Sequence, residues 1–135
     1  MIDHLAIRVR DFEASRRFYD VALAPLGLGV VMEVTPEATG GYHGLGYGSA
    51  GKPVFWLSNA VGSTTSDQTG LARLHVAFAA ADHAAVDAFH KAALAQGGRD
   101  NGPPGVRAHY HPHYCAAFVL DPNGINVEAV CHLAP

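Results

Sequence analysis

The sequence predicts an α+β domain built from two βαβββ modules. Three observations predict it. First, His4 to Gly27 (HLAIRVRDFEASRRFYDVALAPLG) and His75 to Gly98 (HVAFAAADHAAVDAFHKAALAQGG) align without a gap at an offset of 71. Nine of the 24 positions are identical, well above chance even in an alanine-rich chain. Second, each copy reads as a strand, an Asp N-cap, an amphipathic helix and a stop. Third, FWLS (Phe55 to Ser58) corresponds to VEAV (Val127 to Val130) at an offset of 72. The modules run from Met1 to about Ala60 and from about Leu71 to Pro135, within a single domain spanning 1–135. The polar stretch VGSTTSDQTG, 61–70, reads as the linker.

The elements follow in order. A strand sends alternate side chains to opposite faces. In the first strand, His4, Ala6 and Arg8 share one face and Leu5, Ile7 and Val9 the other, so the branched set should pack under the helix that Asp11 caps. Pro25 and Gly27 end that helix. Gly- and Pro-rich turns and short β-like runs lead to the closing strand around FWLS. The Gly-rich run around His43, Gly40 to Gly48, is not a phosphate loop, because it has no GK[ST] ending. In the second module His75, Ala77 and Ala79 oppose Val76 and Phe78. Val86, Phe89 and Ala93 form a core-facing stripe on the second helix, where His83 and His90 read as surface residues, and Gly97-Gly98 ends it. Asp121-Pro122-Asn123-Gly124 is a turn. The last strand then places Ile125, Val127 and Ala129 on one face, and Asn126, Glu128, Val130 and His132 on the other.

Composition narrows the function classes. Apolar residues make up 49% of the chain and charged residues 16%, which indicates a compact fold rather than disorder. The net charge is −3 and the basic residues form no stripe, which excludes nucleic acid as the expected partner. No apolar run approaches a membrane span. Cys115 and Cys131 form no CxxC pair and read as reduced thiols, so the expected location is cytoplasmic.

A carboxylate on a covered strand face needs a partner, because an unpaired buried charge is costly. Glu128 is such a carboxylate. A single histidine at the start of a strand is ordinarily a surface or satisfied residue. Here His4 and His75 stand at repeat-equivalent positions, on the faces that look away from the helices, as Glu128 does. Two histidines and a carboxylate form a facial set for one divalent metal, with positions left open for a substrate.

The segments IDHLAIRVRDFEASRRFYDVAL, LHVAFAA and HYCAAFVLDPNGINVEAV resemble the vicinal oxygen chelate superfamily, the glyoxalase, bleomycin-resistance and extradiol-dioxygenase group, over essentially the whole chain. The resemblance implies an open, barrel-like mixed sheet, the glyoxalase/dioxygenase fold, around a metal. It maps the ligand positions to His4, Trp56, His75 and Glu128. Trp56 departs from the pattern, since an indole nitrogen only donates and cannot ligate. Three ligands remain, and Trp56 becomes either a wall of the substrate pocket or a packing residue.

The loop AHYHPHYCAAF carries His111, His113 and Tyr114, which on this resemblance lie near the mouth of the cavity. Tyr114 and His111 are the candidate catalytic groups, as proton carriers or hydrogen-bond donors. His132 and Trp56 are the candidate substrate-binding residues. The function implied is a metal-dependent lyase, isomerase or dioxygenase acting on an oxygen-bearing small molecule. The ion is Fe, Mn, Ni or Zn, and the state a homodimer with or without sites shared between chains. The alternative is a metal-free drug-binding protein of bleomycin-resistance type.

Overall fold

A computed structural model of the chain describes residues 1–61 and 70–135, so the expected linker lies almost wholly outside the described residues. The first half runs β1 (Leu5–Val9), helix α1 (Phe12–Ala22), β2 (Gly29–Val34), the short helix α2 (Pro36–Thr39), β3 (Gly44–Ser49) and β4 (Lys52–Asn59). The second runs β5 (His75–Ala79), α3 (His83–Ala95), β6 (Arg99–Val106), β7 (Cys115–Leu120) and β8 (Asn126–Cys131). Hydrogen bonding makes two four-stranded sheets, ordered β1-β4-β3-β2 and β5-β8-β7-β6. In each, the first strand runs parallel to the last and the remaining pairs are antiparallel. The internal repeat is therefore a repeat of topology, and the two sheets stay open.

The matched aspartates do the same work in both copies. Asp11 Oδ1 accepts from the Ala14 backbone N–H at 3.0 Å, and Asp82 Oδ1 from that of Ala85 at 2.8 Å. Each cap satisfies a donor that the first helical turn leaves free. The helices then cover the expected strand faces. Ile7 and Val9 lie buried with Phe18, Tyr19 and Ala22 of α1. Val86, Phe89 and Ala93 of α3 are fully buried, in the same cluster as Phe78, Val127 and Ala129. Helix α1 packs on α3, and Phe55 meets Phe78 edge to face at 5.5 Å, so one apolar cluster joins both halves. With both helices spent on that cluster, the opposite face of each sheet is free to carry a site.

Two elements are unlike ordinary strands. β6 contains Pro103 and Pro104, yet pairs with β7 through two register shifts. It lies at a sheet edge, where a missing N–H costs no ladder bond. The Gly-rich run is β3. Gly46 lies opposite Trp56, and a Cβ there would stand 3.0 Å from Trp56 Cζ2. The glycine leaves room for the indole to lie across the strand.

The β3–β4 hairpin closes through Ala50 and Gly51, both at positive φ (49° and 77°). A two-residue turn of this sign matches strand twist but strains an alanine. Ala50→Gly is expected to stabilise the fold by about 1 kcal/mol, read as a rise in the denaturant midpoint at unchanged slope.

Candidate functional site

The faces away from the helices bring the candidate residues into view. Ala6 pairs with Trp56, and Ala77 with Glu128, so the repeat sets an indole where its second copy sets a carboxylate. Each of these large side chains stands beside a strand whose equivalent residue is only a methyl group.

Glu128 is 2% exposed and fully partnered. His75 Nε2–H donates to Oε2 at 2.9 Å, and the Tyr114 hydroxyl donates to Oε1 at 2.5 Å. The hydrogen bond to the carboxylate, aided by burial, pushes the Tyr114 phenol up to about 12, so it remains a donor throughout the neutral range. The His75 ring is 48% exposed and stacks on Phe118 at 6.2 Å between centroids. Phe118 lies directly across the β7–β8 ladder from Glu128. One edge of the His75–Glu128 pair is thus packed and the other opens outward.

His4 is placed differently. Its Nδ1 lies 2.7 Å from Asp3 Oδ1, which also accepts from Lys52 Nζ at 2.6 Å. The His4 hydrogen bond and then the Lys52 contact hold the Asp3 carboxyl below its usual range. His4 and His75 both line a cleft of about 450 Å³ where β1 approaches β5, with Phe55 and Phe78 in its wall. Among the described residues, no three His, Cys, Asp or Glu side chains gather closely enough to hold a metal ion. One chain therefore brings together His75, Glu128 and Tyr114, and leaves His4 outside that cluster.

The spacing of the hydrogen-bonded His75–Glu128 pair is also one that two ligands of a metal ion can have. Two ligands bonded at about 2.1 Å and roughly at right angles have their donor atoms about 3 Å apart. Nε2 and Oε2 stand at 2.9 Å. Trp56, whose indole nitrogen only donates, offers no further ligand atom.

The remaining histidines sort by contact. The 108–113 loop is drawn tight by the Arg107 backbone N–H, which donates to the Tyr114 carbonyl at 2.7 Å. His111 is exposed, and its Nδ1 accepts from the His113 backbone N–H at 3.1 Å. It does not reach Glu128, whereas Tyr114 does. His132 is exposed and stands edge-on to Tyr114 at 5.1 Å. His43 pairs with Glu33 at 2.7 Å. His83 and His90 are partly buried rather than free on the surface: His83 Nε2 meets the Leu133 carbonyl at 2.9 Å, and His90 Nε2 meets Asp100 at 3.0 Å. The His90 contact, with a backbone bond from Gly102, lowers the Asp100 carboxyl.

A second buried carboxylate, Asp121, is 2% exposed and was legible in the sequence only as part of a turn. It accepts from Tyr19 Oη at 2.7 Å, Asn123 N at 2.8 Å, Ile125 N at 2.9 Å and Asn123 Nδ2 at 2.9 Å. Asn123 Nδ2 also reaches Ser15 Oγ at 3.1 Å. These bonds pin the β7–β8 turn to α1 and so fix the strand that carries Glu128.

A model of the Glyoxalase/Bleomycin resistance protein/Dioxygenase superfamily matches residues 1–129. The chain belongs to this superfamily. Among solved structures it is similar to a glyoxalase/bleomycin resistance protein from Albidiferax ferrireducens, with 29% identity, 96% of this chain and 97% of that one covered, and a TM-score of 0.74. It shares its fold with a glyoxalase/bleomycin resistance protein/dioxygenase family enzyme from Burkholderia phytofirmans (21% identity, 98% of both chains, TM-score 0.65). It shares it also with a glyoxalase I variant from Zea mays, at 23% identity and a TM-score of 0.68, covering 96% of this chain and 46% of that one. No curated protein matches the chain significantly. No described helix is long and apolar enough to cross a membrane.

Proposed function

We propose that the protein is a metal-dependent enzyme that chelates a small molecule through neighbouring oxygens, in a lyase, isomerase or dioxygenase reaction. One divalent ion, Fe, Mn, Ni or Zn, is held by His75, Glu128 and His4. The observation that carries the reading is the His75–Glu128 pair: a nitrogen and a buried carboxylate oxygen at ligand spacing on an open sheet face. The third ligand, His4, comes from a second copy of the chain, since its own chain does not bring it to the pair.

When bound, the ion supplies Lewis-acid stabilisation of an enolate-like or catecholate-like oxyanion. The chain's own groups do the rest. Glu128 is aimed by Tyr114, whose hydroxyl stays protonated and keeps Oε1 occupied, so Oε2 is the oxygen left for ligation. For His75 to ligate through Nε2, the hydrogen it shares with Glu128 would move to Nδ1. In this arrangement Trp56, beside β1, enters with His4 from the second copy and walls the substrate cavity, and His132 and His111 line its mouth.

Elemental analysis of anaerobically purified protein beside Glu128→Ala tests the reading. The wild type should carry one ion per chain and the variant none. An equal metal content in both would remove the assignment. One observation favours a second reading, a metal-free binding protein: Glu128 already has both oxygens partnered without an ion. That reading takes over if neither protein holds metal after reconstitution.

A further inference from the structure

We propose that Arg107 is the anchor for a carboxylate on the substrate, so that the site takes molecules with a chelating end and an anionic end. The proposal rests on the reading of His75 and Glu128 as the chelating centre.

The guanidinium is built into the site face. Arg107 follows the last residue of β6 and is partly buried. Its Cζ lies over the Phe118 ring, 5.6 Å from the centroid. The same ring carries His75 on its other flank, because β7 lies between β8 and β6 in the sheet. The order across the face is therefore metal-ligand pair, aromatic platform, cation. Arg107 Nη2 donates to the Pro103 carbonyl at 2.6 Å, which fixes the side chain. Two glycines of β6 clear the surface it occupies. A Cβ at Gly105 would stand 3.1 Å from Nη1, and one at Gly102 would meet Phe118 Cδ2 at 2.9 Å and Nη2 at 3.5 Å. The edge strand with its two prolines is shaped to hold this side chain.

An arginine offers five N–H donors, and Pro103 takes one. Among the described residues no carboxylate lies within 4.0 Å of the guanidinium. A positioned, partly desolvated guanidinium without an anion is matched by a planar anion that accepts two parallel hydrogen bonds. One cation suits a singly charged carboxylate better than a phosphate dianion. The Phe118 ring lies between the two ends, His75 on one flank and the guanidinium on the other, so a substrate that reaches both spans roughly one aromatic ring.

Catechol and 3,4-dihydroxybenzoate test this, since they share the chelating oxygens and ring and differ by one carboxylate across it. Both are titrated into the full-length protein, metal-loaded and metal-free, for the wild type, Arg107→Gln, Arg107→Lys and Arg17→Gln. Wild type should bind the benzoate at least about tenfold more tightly than catechol, the worth of a charge-assisted pair. Arg107→Gln should erase that preference while leaving catechol affinity unchanged. Arg107→Lys should keep part of it, and Arg17→Gln, which removes an exposed cation from helix α1, all of it. Equal binding of both probes by wild type overturns the proposal, as does a preference that survives Arg107→Gln or is lost in Arg17→Gln. A parallel loss of catechol affinity in Arg107→Gln also overturns it, since that marks a merely structural role. If no variant takes up metal, the proposed chelation fails, and the metal-free titrations decide Arg107 alone: an Arg107-dependent preference supports the anchor and no binding of either probe overturns it.

Discussion

Mixing His4→Ala chains with Glu128→Ala chains is expected to restore metal sites that neither variant forms alone. If each site takes His75 and Glu128 from one chain and His4 from its partner, each pure variant dimer lacks one ligand at both sites. A mixed dimer differs. One of its sites collects both lesions, and the other receives intact His4 from one chain with intact His75 and Glu128 from its neighbour. Random exchange makes half the dimers mixed, so about a quarter of wild-type metal content should return. A site assembled within one chain gives none, because every chain then carries a lesion. The measurement is elemental analysis after co-refolding or co-expression, with size-exclusion chromatography to confirm the dimer. A return near zero while mixed dimers are present would place His4 with its own chain. The prediction matters because His4 is tied to Asp3 and lies outside the His75–Glu128–Tyr114 cluster.

Much of this arrangement was legible in the residues. Strand parity alone separated Ile7, Val9 and Phe78 from His4, His75 and Glu128, because alternation is a property of any strand backbone. The repeat identified both helix caps, because an aspartate before an amphipathic run has few other uses. What parity cannot give is reach. It placed Glu128 on the open face but could not show that Tyr114, fourteen residues earlier, would fill Oε1. A signal for Phe118 existed: counting back from the DPNG turn pairs it with Glu128. β6 and β3 were obscured for different reasons. Two prolines argue against a strand unless it is known to lie at an edge, and edge position is a tertiary fact. The glycines of β3 leave that strand's bounds unmarked until Trp56 is seen lying over Gly46. Asp121 read as a turn former because its partners Tyr19 and Ser15-bound Asn123 belong to a distant helix contact.

Asp121→Ala is expected to destabilise the fold by about 3–5 kcal/mol, a large share of the 5–15 kcal/mol typical of a domain. The carboxylate is the common acceptor for a tyrosine hydroxyl, an amide side chain and two backbone N–H groups. Alanine removes the acceptor and leaves those donors without it in a site closed to water, at about 1–3 kcal/mol for each one left unsatisfied. The midpoint of thermal unfolding should fall by roughly 10 °C. Tyr19→Phe removes only one donor, and about 1–2 kcal/mol should be lost. A double-mutant cycle should show strong coupling between the two positions, because they share one contact. The pH dependence has a definite sign. Burial first, and then the Asp121 charge, raise the Tyr19 phenol well above its ordinary value near 10. A folded value above the unfolded one gives a contribution that is complete below about pH 10 and is lost as pH climbs through the folded value. The stability gap between wild type and Tyr19→Phe should therefore hold from neutral pH to about 10 and narrow above it. A gap that already narrows below pH 9 would mean that the hydroxyl is not held by Asp121. If Asp121→Ala unfolds no earlier than wild type, the turn is not what anchors β8, and the placement of Glu128 must depend on β7 and β5 alone.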